Sequence, residues 1–228
     1  MIGELLPEKV VTVWRTNDDE PVSLFPEEKA VIARAVDKRR REFSTVRLCA
    51  RVALKELGER ELPLTPGKRG EPRWPHGIVG SMTHCAGYRA AALARSADVV
   101  SLGIDAEPAE PLPGGVLDAV SQAEERRGLA ELAKQAAHVP WDRLLFSAKE
   151  SVFKAWYPLT RRELGFTEAS VDFALATGTF TARLLVPGPV VNGKSLSVLT
   201  GRWAVRDGIA LTAIVLPRPL LPGDRQPG

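Results

Sequence analysis

The chain has 228 residues, of which 44% are hydrophobic and 26% charged, and its formal net charge is +3. That is too much apolar material for a disordered chain and enough for a sizeable core, in one large domain or two small ones. No apolar run approaches the ~20 residues of a membrane span, and the opening MIGELLPEKVV lacks the basic and then apolar stretches of a secretory signal, which predicts a cytoplasmic protein with no membrane partner.

Residues 1–25 are mixed in character and read as loop. Pro26, Glu27 and Glu28 then mark a helix start, with proline in the first turn and acids at the positive end of the dipole. Apolar residues recur from Val31 to Leu57 at helical spacing, and Gly58 supplies a stop. This is one long helix, or two with a break near the arginine run DKRRREF (37–43). On a helix Arg40, Arg47 and Arg51 fall close to one face, with Arg39 beside them. Such a cluster suits a solvated face, nucleic acid or a pocket for a small polyanion. Nothing resembling a helix-turn-helix, a zinc finger or interleaved aromatics supports nucleic acid.

The stretch LPLTPGKRGEPRWPHG (62–77) is loop. Lys68 and Arg69 stand there among glycines, which suits anion contact by side chain and backbone together. The GxxxxGK[ST] pattern is absent, so this is not an ATP-binding P-loop. Strand-like runs follow at 78–84, 88–94 and 99–107. In GSMTHC (80–85), Ser81, Thr83 and His84 offer hydroxyl and imidazole groups that suit phosphate oxygens, and equally suit ordinary structural hydrogen bonds. Cys49 and Cys85 have no CxxC or Cys/His metal spacing, so they read as small buried apolar residues. Cys85 and His84 are neighbours on a strand and point to opposite faces, which argues against a nucleophile pair.

In LGIDAE (102–107), Asp105 and Glu107 lie two apart on a strand and share a face. Two carboxylates so placed suit a hard divalent cation, or else an ordinary surface strand end. EPAEPLPGG (107–115) marks the boundary between halves spanning 1–109 and 110–228. Helices follow at 116–137 and 141–156, then strands near 170–175, 179–186, 196–205 and 209–216, with RDG as a hairpin turn. In FSAKESVFKAW (146–156), Lys149, Glu150 and Lys154 interrupt an apolar pattern. Glu150 and Lys154 form a favourable i,i+4 pair, as on a solvated face. Each half reads as a helix followed by a strand meander, which predicts an α+β fold of two similar α/β halves.

The basic-helix arginines, GKRGEP, GSMTH, GIDAE and FSAKESVFKAW together, in this order, resemble the 4′-phosphopantetheinyl transferases. The similarity runs from about Glu27 to Leu216 and is to the large, pseudo-dimeric type that activates surfactin synthetase, close to actinobacterial enzymes. It implies pseudo-twofold symmetry and transfer of the phosphopantetheine arm of coenzyme A to a serine of apo acyl or peptidyl carrier proteins of fatty acid, polyketide or nonribosomal peptide synthases. It also implies a monomer using Mg²⁺, with Mn²⁺ as the alternative ion. Asp105, Glu107 and Glu150 would hold the metal. Glu150 would take the serine proton and Lys154 would neutralise the transferring phosphoryl group. Arg39, Arg47, Lys149 and His84 would grip phosphates of coenzyme A, Lys68 and Arg69 would flank its adenosine end, and Ser81, Thr83 and Asp105 would complete its contacts. GKRGEP replaces the commoner Gly-Lys-Pro, and Gly80, Ser81 and Thr83 stand where many members have an aromatic, Asn and Ser. The rival expectation is an inert module that binds coenzyme A or a nucleotide, in which three converging carboxylates would have no purpose.

Overall fold

Strand β3 (Tyr88–Arg95) is buried along nearly its whole length, as a central strand must be. It pairs antiparallel with β2 (Ile78–Cys85) through a tight turn in which Gly87 takes φ 76°, and with β1 (Val11–Arg15) on its other edge. β1 lies within the stretch read as loop. It is only five residues long, and its partner is a strand far along the chain, so no local pattern announces it. The computed structural model describes residues 1–218.

The first helical region is two helices, α1 (Pro26–Val31) and α2 (Asp37–Glu56), broken ahead of the arginine run. α2 lays Cys49, Ala50, Ala53 and Leu54 against Ala91 and Leu93 of β3. The second helical region also divides, into α3 (Val116–Val120) and α4 (Ala123–Gln135). Glu125 reaches back there to accept the Gln122 N–H at 2.7 Å, which caps the new helix. α5 (Trp141–Thr160) runs one turn beyond its expected end, with Pro158 in that last turn.

Strand β4 (Val99–Pro108) departs from the expected meander. It leaves the first sheet and pairs with β10 (Ile209–Pro217), so that a five-stranded antiparallel sheet runs β4, β10, β9 (Val198–Arg206), β6 (Thr179–Leu184), β5 (Ala169–Ala174). A two-residue hairpin of β7 (Val190–Val191) and β8 (Lys194–Ser195) is inserted between β6 and β9. The RDG turn forms as expected, with Asp207 at φ 50° and Gly208 at φ 74°, the left-handed pair that a tight hairpin needs. The fold is α+β, with α2 on one sheet and α5 on the other.

The two sheets meet at β2 and β4 without a backbone ladder. Hydroxyls take its place: Ser81 Oγ accepts the Ile104 N–H and Thr83 Oγ1 accepts the Ala106 N–H, each at 3.1 Å. Buried N–H groups left without partners would be costly, so these two side chains close the seam. Leu102, Ile104 and Ala106 point from β4 into a core shared with Ile2, Leu5, Tyr88 and Leu211. The alternate residues Ser101, Gly103 and Asp105 therefore face α5.

α5 crosses β4 very closely. Ser101 Oγ donates to the Ala155 carbonyl at 2.7 Å. A Cβ on Gly103 would lie 2.1 Å from the Ser151 carbonyl oxygen and 2.7 Å from the Ala155 nitrogen. Both obstacles are backbone, so rotamer changes cannot relieve them. Gly103→Ala is expected to lower stability by about 1–3 kcal/mol through overpacking, read from urea unfolding midpoints. A variant as stable as the parent chain would refute this account of the glycine.

Candidate active site

A cleft of about 1110 Å³ opens where α2, the 66–73 loop, β2, β4 and α5 converge. α5 contributes Glu150 and Lys154, which share a face because they lie four residues apart. Lys154 Nζ donates to Asp105 Oδ1 at 2.7 Å and to the Ile104 carbonyl at 3.2 Å. The Thr83 hydroxyl reaches the same Asp105 oxygen at 3.2 Å. Asp105 Oδ2 is buried and has no hydrogen-bond partner among the described residues. Burial pushes the Glu150 carboxyl above the usual carboxylate range. Lys154 opposes that shift and the Asp105 charge adds to it.

Glu107 departs from the expected set of three converging carboxylates. Its Oε2 accepts from Arg143 Nη1 at 3.2 Å and it does not line the cleft. The same guanidinium donates to the carbonyls of Glu110 and Pro111, both at 2.9 Å, fastening the segment after β4 to α5. Burial and then the nearby Asp105 charge raise the Glu107 pKa, against the pull of Arg143. Among the described residues no three His, Cys, Asp or Glu side chains are gathered to hold an ion. Mg²⁺ is commonly held by one or two carboxylates together with substrate phosphates. The unpartnered Asp105 Oδ2 beside Glu150 fits that arrangement, whereas Glu107 would first have to leave Arg143.

The expected phosphate grips fall into two groups. Arg39, Arg47, Lys68, Arg69 and His84 all line the cleft. Arg39 donates to His84 Nε2. A guanidinium can only donate, so Nε2 is the acceptor and the imidazole proton sits on Nδ1, 3.8 Å from Glu42. Burial, and then Arg39, hold the His84 pKa down to about 4. Arg47 is buried, with its guanidinium 3.1 Å over the Phe43 ring and its Nε donating to the Leu64 carbonyl at 3.1 Å. Burial lowers its pKa to about 10, still charged at neutral pH. Arg69 pairs with Glu163 and Glu71 with Arg161, so the 66–73 loop is tied across to the end of α5.

Ser81 and Thr83 border the cleft, but their hydroxyls serve the seam described above. Lys149 is a correction. Its Nζ is buried against Glu125 at 2.8 Å and donates to the carbonyls of Phe166 at 2.6 Å and Ala169 at 3.1 Å. Consecutive helical residues lie about 100° apart, so Lys149 could not share the face of Glu150 and Lys154. Glu125 also accepts the Val171 N–H at 2.8 Å, completing a buried pair that joins α4, α5 and β5.

Several residues that brace the elements around the site escaped the sequence reading. Arg143 lies seven residues before Glu150, two helical turns on the same face, and that spacing was its signal. Glu125 had the signature of a helix cap at the third position. Glu28 read as an ordinary first-turn acid, yet it is fully buried, accepting the Leu64 N–H at 2.9 Å and pairing with Arg51 at 3.3 Å. Nothing in its sequence neighbourhood pointed to that role.

A family model for the 4′-phosphopantetheinyl transferase N-terminal domain matches residues 27–94, and one for the 4′-phosphopantetheinyl transferase superfamily matches residues 101–205. The 4′-phosphopantetheinyl transferase Svp of Streptomyces mobaraensis is 60% identical over 222 residues, covering 96% of this chain and 90% of the relative. The chain belongs to the 4′-phosphopantetheinyl transferase family. The transferase PptT of Mycobacterium tuberculosis is 50% identical over 204 residues, 88% of this chain and 89% of its own. Npt of Nocardia iowensis is 48% identical over 222 residues, 94% of this chain and 99% of its own. This transferase moves the phosphopantetheine arm of coenzyme A onto a serine of apo carrier proteins, giving the holo form and adenosine 3′,5′-bisphosphate. The gap between the two family models falls at the turn from β3 to β4, where the chain passes from one sheet to the other.

Two outcomes follow from these environments. Lys149→Ala leaves Glu125 buried and unpaired, so urea unfolding should show a loss of about 3–5 kcal/mol. Unchanged stability with weaker coenzyme A binding would return Lys149 to the phosphate role. His84, with its pKa held below the ordinary 6.5 at about 4, resists protonation in the folded state. The unfolded chain binds that proton first, so stability should fall as pH drops from about 6.5 towards 4. The His84 ring signals in NMR should stay those of the neutral form at pH 6 in the absence of coenzyme A. A midpoint near 6.5 would overturn the assignment.

Proposed function

We propose that the transfer is carried out by Glu150 and Lys154, with Asp105 as the principal protein ligand of a Mg²⁺ ion. The observation that supports this is the junction of β4 and α5. There a buried, half-satisfied Asp105, a carboxyl with raised pKa and a lysine meet in a cleft bordered by Arg39, Arg47 and His84. Coenzyme A is a polyanion, and these cationic and polar groups suit its phosphates. Lys68 flanks the adenosine end, and Arg69 joins it by exchanging Glu163 for the ligand.

In this mechanism Glu150 accepts the proton of the carrier serine. The serine oxygen bonds to the β-phosphorus of coenzyme A as the bond to the bridging oxygen breaks, and adenosine 3′,5′-bisphosphate departs. Lys154 neutralises charge on the transferring phosphoryl oxygens, so the chain contributes mainly positioning and electrostatic stabilisation. Mg²⁺, when bound by Asp105 and Glu150, and by Glu107 once it leaves Arg143, would offset the charge of the pyrophosphate; Mn²⁺ is the alternative ion.

We further assign the enzyme to the large, pseudo-dimeric type that activates surfactin synthetase. We take it to act as a cytoplasmic monomer on carrier domains of fatty acid, polyketide or nonribosomal peptide synthases. Among the described residues no helix is long and apolar enough to cross a membrane.

The test is intact mass of a panel of apo carrier proteins after incubation with coenzyme A and Mg²⁺. Each true acceptor gains one phosphopantetheine arm. Glu150→Gln should still bind coenzyme A by calorimetry yet fail to modify the carrier. Lys154→Ala should lose about 10²–10³-fold in turnover, as for one preorganised donor. Normal turnover in both variants would show that this face of α5 serves the structure and not the transfer.

A further inference from the structure

We propose that Thr83 is a positioning residue for the cation site: its hydroxyl fixes the Asp105 carboxylate so that Oδ1 is occupied and Oδ2 alone remains for the ion. This rests on the reading that Asp105 serves a divalent cation.

The argument counts protons. Thr83 is 3% exposed. Its Oγ1 lies 3.1 Å from the Ala106 nitrogen and 3.2 Å from Asp105 Oδ1. The peptide N–H can only donate, so the hydroxyl accepts there. Its single proton is then spent on Asp105 Oδ1. A hydroxyl so committed has no proton for a phosphate oxygen, which is what a contact with coenzyme A would require. Lys154 Nζ donates to the same Oδ1 at 2.7 Å. Two donors on one oxygen, and none on the buried other, leave the carboxylate strongly asymmetric. A buried carboxylate oxygen without a partner is costly, and a cation would satisfy it. Removing a partner that orients a metal-binding group typically costs about 10–100-fold in metal affinity.

Ser81 supplies the internal comparison. It lies two residues earlier on the same face of β2 and does the same work at the seam, accepting the Ile104 N–H at 3.1 Å. Its oxygen meets that backbone group, and the hydroxyl that meets the Asp105 carboxylate is that of Thr83. A purely structural role would make the two residues equivalent; the proposed role separates them.

The experiment titrates Mn²⁺ into the full-length protein saturated with coenzyme A, following free Mn²⁺ by electron paramagnetic resonance. Coenzyme A affinity without metal is measured separately by calorimetry. Thr83→Val, which keeps the shape and removes the hydroxyl, should weaken Mn²⁺ binding about 10–100-fold and leave metal-free coenzyme A affinity unchanged. Thr83→Ser should restore Mn²⁺ binding close to the parent value, and Ser81→Ala should leave it there. If the valine variant does not fold, Thr83→Ala removes the same proton with less volume and carries the test. Parental Mn²⁺ affinity in the hydroxyl-free variant overturns the proposal, as does an equal loss in Ser81→Ala or a loss confined to metal-free coenzyme A binding. Failure of the parent protein itself to bind Mn²⁺ with coenzyme A would instead remove the cation reading, and this proposal with it.

Discussion

The close approach of α5 to β4 at Gly103 is the contact on which the cleft depends. One face of β4 carries Ser101, Gly103 and Asp105 in alternation. Ser101 ties α5 down through the Ala155 carbonyl, Gly103 lets the helix backbone come within reach, and Asp105 meets Lys154. Glu107, two residues on, meets Arg143 from an earlier turn of the same helix. A period of two on the strand is thus matched to a helical stripe at 143, 150 and 154. Packing and chemistry draw on the same residues, and the glycine of the GIDAE segment is as much part of the site as its acids.

Burial sorts the charged residues around this contact into two kinds. Lys149 with Glu125, and Arg51 with Glu28, are closed pairs whose hydrogen bonds are used within the protein. Removing a buried charge from water is tolerable when its partner and neighbouring backbone groups satisfy it. Asp105, Glu150 and His84 are different. Each faces the cleft: Asp105 keeps a buried oxygen without a partner among the described residues, and burial raises the Glu150 pKa and lowers that of His84. Functional groups in enzymes commonly carry such perturbation.

The strands on either side of the site were legible because their apolar alternation is local, and so was the RDG hairpin. The pairing of β4 was not, because Gly103, Asp105 and their neighbours look the same whether the adjacent strand is β2 or β10. β1 escaped for a similar reason, since its partner lies more than seventy residues downstream in sequence. Asp105, Glu150 and Lys154, which the structure brings together at the cleft, were singled out from periodicity together with family likeness. Lys149 was carried over with the family likeness, and the 100° step of a helix turns it away from the face of Glu150 towards Glu125. The engagement of Glu107 by Arg143, and of Thr83 by the seam, depend on which side chains tertiary structure brings together, and local spacing carries no record of that.

The hydroxyl seam has a consequence for how competence arises. A backbone ladder joins strands whatever their side chains, but this joint is written in two residues, Ser81 and Thr83. Asp105 sits in the second sheet, yet it is oriented in part by Thr83 from the first and in part by Lys154 above it. Neither sheet with its own helix contains that arrangement. Asp105, Glu150 and Lys154 belong to the second sheet and its helix, while Arg39, His84 and the Thr83 hydroxyl reach the cleft from the first layer, so the cleft is complete only where the two layers register against one another. The shape of the cleft is in this sense a gauge of how closely the two layers are docked.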